Sequence, residues 1–327
     1  MKIEKDINVC VLIVTYNRKD YLIKTINSIV SQSIKPQKIL IFDNNSTDGT
    51  EKMLKDNKII KRISVNKLEK SEFNGIEILY YRNAENEGGS GGFSKGIKLA
   101  SEQKSKYIWT MDDDVLPDID CMKNLLLALK GRRIVIPNRT DEFYKDNAIV
   151  SVNMRNPFKY NILKRKKILL SSQIKKNVID VVDMPFEGPM FESSLVNEVG
   201  LPNKDLFIIF DDSEYAYKIS KVAKIGFVKN AILHKQIIPS NSFNGIMGWK
   251  EYYGYRNQYW FDRTYGENIF VKKLRPLFNH LDLCFRAIVK RRWSNLKVFR
   301  AAYYDGTHNI LGKRVNPGKE FEWSRHK

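Results

Sequence analysis

Short, uninterrupted apolar runs alternate with amphipathic stretches along the first half of the chain. Asn8 to Val14 (NVCVLIV) is β-branched throughout, the mark of a strand buried on both faces. From Lys19 to Ser31, Leu22, Ile26, Ile29 and Val30 share one helical face, and Pro36 closes the unit. Lys38 to Phe42 predicts a second strand, followed by a helix from about Thr47 to Leu54. Residues 57–74 are Lys-rich with weak periodicity and read as an exposed insertion. Ile76 to Tyr81 predicts a third strand. A Gly-rich turn at Glu87–Phe93 opens a helix to about Gln103, and Lys106 to Met111 predicts a fourth strand. Strands alternating with helices at this spacing imply βαβ units in a mostly parallel sheet flanked by helices.

Beyond Pro137 the pattern weakens, and residues 138–180, very basic around Lys164-Arg165-Lys166-Lys167, cannot be placed. Order returns at Val181–Phe191, with a helix over about Ser193–Val199. Phe207–Phe210 (FIIF) reads as a short strand, Tyr215–Val222 as a helix, and Ile225–Val228 and Ala231–Leu233 as two short apolar runs. From Trp249 onward, helix-like segments rich in Tyr, Trp and Arg dominate. The composition shift near residue 245 divides the chain into an α/β region, 1–245, and a basic, aromatic-rich helical region, 246–327.

The polar clusters fall at the carboxyl ends of the expected strands: Thr15–Asn17, Asp43–Asp48, Asn83–Gly92 and Asp112–Asp114. Ligands bind at those ends in open parallel sheets. The last cluster carries the strongest chemistry. Trp109, read as core, leads into Asp112-Asp113-Asp114, three adjacent acids that repel one another and resist burial. A divalent cation carrying a phosphate offsets such charge; a solvated acidic turn before a helix near Pro117 is the plainer reading. In Asn86-Glu87-Gly88-Gly89-Ser90-Gly91-Gly92-Phe93, glycines at a helix start let backbone N–H groups approach a ligand closely. Thr47 and Asp48 read as helix caps, and Asp43 by itself as an Asx turn or helix cap.

The net charge of +19 calls for an anionic partner: nucleic acid, an anionic membrane surface or phosphorylated substrates. It is concentrated at the C-terminus, where Met247 onward holds 17 Lys/Arg against 7 Asp/Glu. Nucleic acid is disfavoured, because the expected site is acidic and no recognition helix, zinc spacing or RNA-binding aromatic motif appears. The three cysteines, Cys10, Cys121 and Cys284, form no metal-spaced pair and suit a reducing compartment. With no signal peptide after Met1 and no apolar run of spanning length, the expectation is a cytoplasmic protein, soluble or peripheral on the inner face of the plasma membrane.

Taken together, VTYNR (Val14–Arg18), DNNSTDGT (Asp43–Thr50), the Gly-rich loop and the strand ending in DDD resemble family 2 glycosyltransferases of the GT-A fold. The resemblance covers Asn8 to His234. It implies nucleotide contacts from Thr15, Tyr16, Asn17, Arg18, Asp43, Asn86, Gly89, Asp112 and Asp113, with Asp113 on the ribose or sugar. It implies Mn²⁺ or Mg²⁺ on Asp112, Asp114 and His234, one of four histidines. In Asp211-Asp212-Ser213-Glu214 it makes Asp212 the general base, ionised at a helix N-terminus, with Asp211 either capping the helix or supporting the acceptor side of the site and Glu214 bonding the acceptor. The Phe186–Met190 loop, with Glu187 and Gly188, falls where relatives line the acceptor site. NxGGxGGF is similar to the loop of galactofuranosyltransferases, though rhamnosyltransferases carry comparable loops. The expected activity is therefore inverting, metal-dependent transfer of galactofuranose from UDP-galactofuranose to a cell-surface polysaccharide or lipid-linked glycan. A dTDP-rhamnose donor is the alternative, and a homo-oligomer is a further expectation. Trp249–Trp260 resembles the YYxxRN helix of bacterial polysaccharide glycosyltransferases, and the basic helices around Arg286–Arg300 read either as membrane-surface helices or as a packed subdomain.

Overall fold

The computed structural model describes residues 8–237 and 246–325. The first half builds β1 (Val9–Thr15), α1 (Lys19–Val30), β2 (Lys38–Asp43), α2 (Thr50–Asp56), β3 (Leu68–Phe73), β4 (Ile76–Arg82), α3 (Gly88–Ser101) and β5 (Tyr107–Asp112). β1 lies parallel to both β2 and β5, and β2 parallel to β4. Every residue of β1 is buried, because both faces of the sheet are covered. Val9, Val11 and Ile13 point towards Leu22, Ile26 and Ile29 of α1, whereas Cys10, Leu12 and Val14 point towards Phe93 and Ile97 of α3.

The second half extends the sheet with β6 (Val115–Pro117), α4 (Cys121–Ala128), β7 (Ile134–Asn138), β8 (Asn147–Val152), α5 (Ile162–Arg165), β9 (Lys166–Leu170), β10 (Val178–Val181), β11 (Met190–Glu192), α6 (Ser194–Val199), α7 (Asp211–Ile219) and β12 (Ile225–Lys235). The sheet order is β10-β12-β7-β11-β5-β1-β2-β4-β3, with β6 also on β12. β11 runs antiparallel between β5 and β7, and β12 is parallel to β7. Three helices follow: α8 (Trp249–Tyr265), α9 (Ile269–Val289) and α10 (Ser294–Thr307). α8 and α10 share an aromatic core with Phe207, built on Tyr252, Tyr253 and Tyr259. Asp262 on α8 pairs with Arg165 of α5 at 2.6 Å and Arg275 of α9 at 3.2 Å, all three buried. Opposite charges held this far from water stay paired, so the triad ties the C-terminal helices to the chain around β9.

Several expectations are corrected. The supposed insertion at 57–74 ends in β3, an edge strand antiparallel to β4 whose Lys and Glu residues blunt the edge and mask its strand character. Phe207–Phe210 is no strand: Phe207, Ile209 and Phe210 all have positive φ, near 66°, 66° and 75°. The runs at 225–228 and 231–233 belong to one strand, β12, interrupted by an irregularity after Val228. Residues 138–180 hold a separate hairpin, β8–β9, and the edge strand β10. The boundary read at 245/246 lies at residues 238–245, outside the described residues, as does the start of the chain before Asn8. Among the described residues the cysteines are free and no helix is long and apolar enough to cross a membrane.

Candidate active site

The sheet register sets three site residues side by side: Val14 of β1 pairs with Asp112 of β5, and Thr15 with Asp43 of β2. Beyond these ends opens a cleft of about 890 Å³, within the range of ligand cavities. Thr15, Tyr16, Arg18, Asn86, Gly89, Asp112, Asp113, Glu187, Asp211 and Asp212 all line it, so the structure gathers most of the residues singled out from sequence.

The acid triplet is not a solvated turn. Asp113 and Asp114 are buried, and burial raises the pKa of all three acids. Asp112 is held well above the usual carboxylate range, by burial first and then by Glu187, Asp114 and Asp113. Asp113 is pushed up to about 6 by burial, although it accepts from the Thr15 hydroxyl at 2.7 Å, the Tyr16 N–H at 3.3 Å and Arg18 at 3.2 Å. The same Arg18 Nη1 reaches Asp114 at 2.7 Å. One guanidinium thus partly neutralises two carboxylates, while Asp112 faces the cleft with no comparable partner among the described residues. Oxygen donors carrying excess negative charge suit a hard divalent cation, which Asp112 fits, whereas Asp114 is bonded to Arg18 and is not among the residues that line the cleft.

His234 does not join them. It donates to or accepts from Asp118 at 2.7 Å and Asp141 at 3.2 Å, because β12 pairs with β6 and turns the ring towards those acids. Burial works against its proton, but the two acids outweigh burial and raise its pKa. Among the described residues no group of three or more His, Cys, Asp or Glu side chains, the triplet included, is arranged to hold a metal ion.

Other expected contacts are also relocated. Asp43 is fully buried and accepts from the Ser46 N–H at 2.7 Å and the Tyr80 hydroxyl at 2.8 Å; Asn44 lines the cleft instead. Asn17 accepts from the Thr47 N–H at 2.6 Å, bridging the two loops rather than facing the cleft. Asp48 accepts from the Lys19 and Thr50 N–H groups and is a loop-and-helix cap, as read. Gly188 serves the fold: its carbonyl accepts from Trp109 Nε1 at 2.9 Å, at a φ of 94°. Glu214 is buried and accepts from the Tyr265 hydroxyl at 2.6 Å, away from the cleft. Glu187 stays in the cleft, where burial is outweighed by Arg139 and Lys235, which hold its pKa low.

The Gly-rich turn works by close approach. Asn86 Oδ1 accepts from the Gly88 N–H at 2.8 Å and from Asn44 Nδ2 at 3.1 Å, which fixes the start of α3. Gly88 has a φ of 75°, and a Cβ there would collide with the Phe207 carbonyl. The Ser90 N–H donates to that carbonyl at 3.1 Å. The Gly-rich turn and the loop before Asp212 are therefore joined at Phe207.

Asp211 and Asp212 open α7. A helix N-terminus was expected to keep Asp212 ionised. Instead burial, with Asp211 and Asp183 nearby, pushes it up to about 8, and Asp211 goes up to about 6, chiefly through burial. Desolvation and like charge outweigh the helix dipole.

Sequence reasoning missed the C-terminal contribution. Trp249, Lys250, Lys313, Asn316 and Lys319 line the cleft because the chain after α10 folds back over it. The Pro317-Gly318 turn was the available signal. Also missed was the part played by Arg256 and Asn257, both fully buried on α8. Asn257 Nδ2 donates to the carbonyls of Leu206, Ile208 and Ile209 at 3.0, 2.9 and 2.7 Å. Arg256 donates to Leu206 at 2.8 Å and to Gly312 at 2.6 Å. The pair holds the strained loop that ends at Asp212.

A mostly parallel α/β sheet whose carboxyl edge carries a glycine-rich helix start and a triple-acid strand end is that of a GT-A glycosyltransferase. The solved structure of GalNAc-T7 with UDP, GalNAc and Mn²⁺ has this fold, with a TM-score of 0.57 and 17% identity over 85% of this chain and 55% of that one. The model for glycosyl transferase family 2 matches residues 10–179, and the chain belongs to that family. Galactofuranosyltransferase GlfT1 of Mycolicibacterium smegmatis is 23% identical over 207 residues, 63% of each chain. O-antigen chain rhamnosyltransferase RfbN of Salmonella typhimurium is 23% identical over 222 residues, 66% of this chain and 64% of that one. The chain thus spans a little under two thirds of the curated relatives it matches.

Proposed function

We propose that this family 2 glycosyltransferase moves galactofuranose from UDP-galactofuranose to a hydroxyl of a glycan acceptor, with inversion at the anomeric carbon. The observation that supports the reading is what one cleft gathers: Asp112 and Asp113 from the end of β5, the Gly-rich start of α3, and a separate carboxyl, Asp212, from α7. Thr15, Tyr16, Arg18, Asn44 and Asn86 bind the nucleotide, and Asp113 holds the ribose or sugar. Asp112 would hold Mn²⁺ or Mg²⁺, which when bound neutralises charge on the diphosphate leaving group. Asp212 takes the proton of the acceptor hydroxyl as its oxygen bonds the anomeric carbon. The bond from that carbon to the diphosphate breaks, and UDP leaves with the electron pair.

The Gly-rich motif and the GlfT1 relative favour a galactofuranose donor; the RfbN relative favours a dTDP-rhamnose type. A thermal-unfolding panel separates them. UDP-galactofuranose with Mn²⁺ is expected to raise the melting temperature above UDP with Mn²⁺, and dTDP-rhamnose is not. Greater protection by dTDP-rhamnose would reverse the donor assignment.

The same reading places the enzyme on an anionic membrane that carries a lipid-linked acceptor. α9 exposes Leu281, Phe285, Ile288 and Val289, followed by exposed Trp293. Arg286, Lys290, Arg291 and Arg292 flank them, the pairing of apolar and basic groups that suits an anionic interface. Co-sedimentation is expected with phosphatidylglycerol vesicles and not with phosphatidylcholine, and Phe285→Ser with Trp293→Ser should release the protein. Equal recovery with both lipids would remove the membrane role.

A further inference from the structure

The acids of the cleft have an assigned use, but three of its cations do not. Arg18 is committed to Asp113 and Asp114. Lys250, Lys313 and Lys319 also line the cleft, all are exposed, and among the described residues none is within ion-pair distance of a carboxylate. They come from two separate stretches that the fold brings together: the start of α8 and the segment after α10. Lys250 lies over the Trp249 ring at 5.4 Å, and Lys313 over Phe207 at 5.7 Å. Phe207 in turn belongs to the loop leading to Asp212. Three positive charges without an ion-pair partner repel one another and attract an anion, although the same cleft also holds the carboxyls of Asp112, Asp113, Glu187, Asp211 and Asp212. Beside them, Trp249 offers a half-buried aromatic face to the cleft, the kind of surface that supports a sugar ring.

From this arrangement we infer that Trp249, Lys250, Lys313 and Lys319 form an acceptor subsite for a glycan that carries a phosphate. The donor diphosphate already has the start of α3 and the carboxylate-held cation position, so the lysines are free for a second anion. Asn316 and Lys319 also line an adjoining cavity of about 520 Å³ that includes Trp323, Glu320, Glu322 and Arg314. Arg314 is engaged with Asp305 at 3.5 Å and the Ser324 carbonyl at 2.6 Å, and the two carboxylates beside it suit sugar hydroxyls, so further neutral sugars fit there and the anionic group the main cleft.

The inference rests on reading the cleft as a glycosyl-transfer site, and binding measurements test it without turnover. The parent and the triple variant Lys250→Gln, Lys313→Gln, Lys319→Gln are titrated calorimetrically at saturating UDP. The probes are octyl galactosyl phosphate and uncharged octyl galactoside. The parent is expected to bind the phosphate probe roughly tenfold or more tightly than the neutral one, with the gap closing as salt is added. The triple variant should lose that preference and keep its affinity for UDP. Exposed lysines changed to glutamine leave the core intact, and a melting curve checks it. Equal binding of the two probes by the parent overturns the inference. So does a variant that loses UDP affinity instead, which would assign the lysines to the donor. Failure of the donor reading has a different signature: UDP-galactofuranose would protect neither protein beyond UDP, while the probe preference stood.

Discussion

Asp212→Asn is expected to lower kcat by about 10³-fold or more while leaving the affinity for UDP within about twofold. Asparagine keeps the size of the side chain and its place at the start of α7, but it cannot accept a proton from the attacking hydroxyl. UDP affinity is expected to be preserved because the residues proposed for the nucleotide, Thr15, Tyr16, Arg18, Asn44 and Asn86, are carried on other elements. Steady-state transfer rates and a UDP titration decide the matter. Transfer at near-parental rate in the variant would end the assignment of Asp212 as base.

The pH dependence follows from the same carboxyl. Its folded pKa is raised to about 8, and a base works only when deprotonated. The rate is therefore expected to climb with pH up to about 8 and level off above it. Stability moves the other way. Between the ordinary carboxylate range and pH 8 the folded state holds a proton that the unfolded state has lost, so stability due to Asp212 is fully present at low pH and falls as pH rises. Asp212→Asn removes that loss and should melt at a higher temperature than the parent at pH 8. A variant that is inactive yet more stable cannot be explained by misfolding.

How far the chain can be read without coordinates depends on what each segment buries. β1, β2, β4 and β5 are covered on both faces, so they appear as unbroken apolar runs, and their polar carboxyl ends point directly to the cleft. β3 is an edge strand with Glu69, Lys70 and Glu72 on it, and charge at an edge looks like loop. The strands β6, β10 and β11 have three or four residues each, too few for a period to show. Phe207–Phe210 is apolar because it packs against α3 and α8, not because it is extended, and no local signal separates the two cases. The acid triplet and Asp212 were legible because carboxylates adjoining apolar runs need a reason. His234 was misplaced because the ring direction depends on Asp118 and Asp141, which the sequence sets far apart. The lysines of the cleft were invisible for the same reason: only tertiary folding returns residues 313–319 to α8.

Asn257→Ala should lower kcat by about 10²-fold with little change in the donor KM, although Asn257 does not itself line the cleft and reaches it only through the carbonyls of Ile208 and Ile209. Its amide is the principal support of a loop with three positive-φ residues other than glycine. Such backbone persists only where its surroundings hold it. Removing the amide leaves Leu206 with Arg256 but takes the side-chain donor from the Ile208 and Ile209 carbonyls, and each one left buried and unpaired costs about 1–3 kcal/mol. The loop then relaxes, and Asp212, three residues after Ile209, loses its position. Asn257→Asp separates the donor from the space it fills: it keeps the volume, lacks the N–H groups and faces carbonyls with a carboxylate, so it should be at least as damaging. Lower stability alone would reduce the amount of active enzyme without altering its pH profile. Relaxation of the loop exposes Asp212 to water, so the acid limb should move down from about 8 towards the ordinary carboxylate range. An unshifted limb, with kcat restored after correction for the folded fraction, would reduce Asn257 to a packing residue.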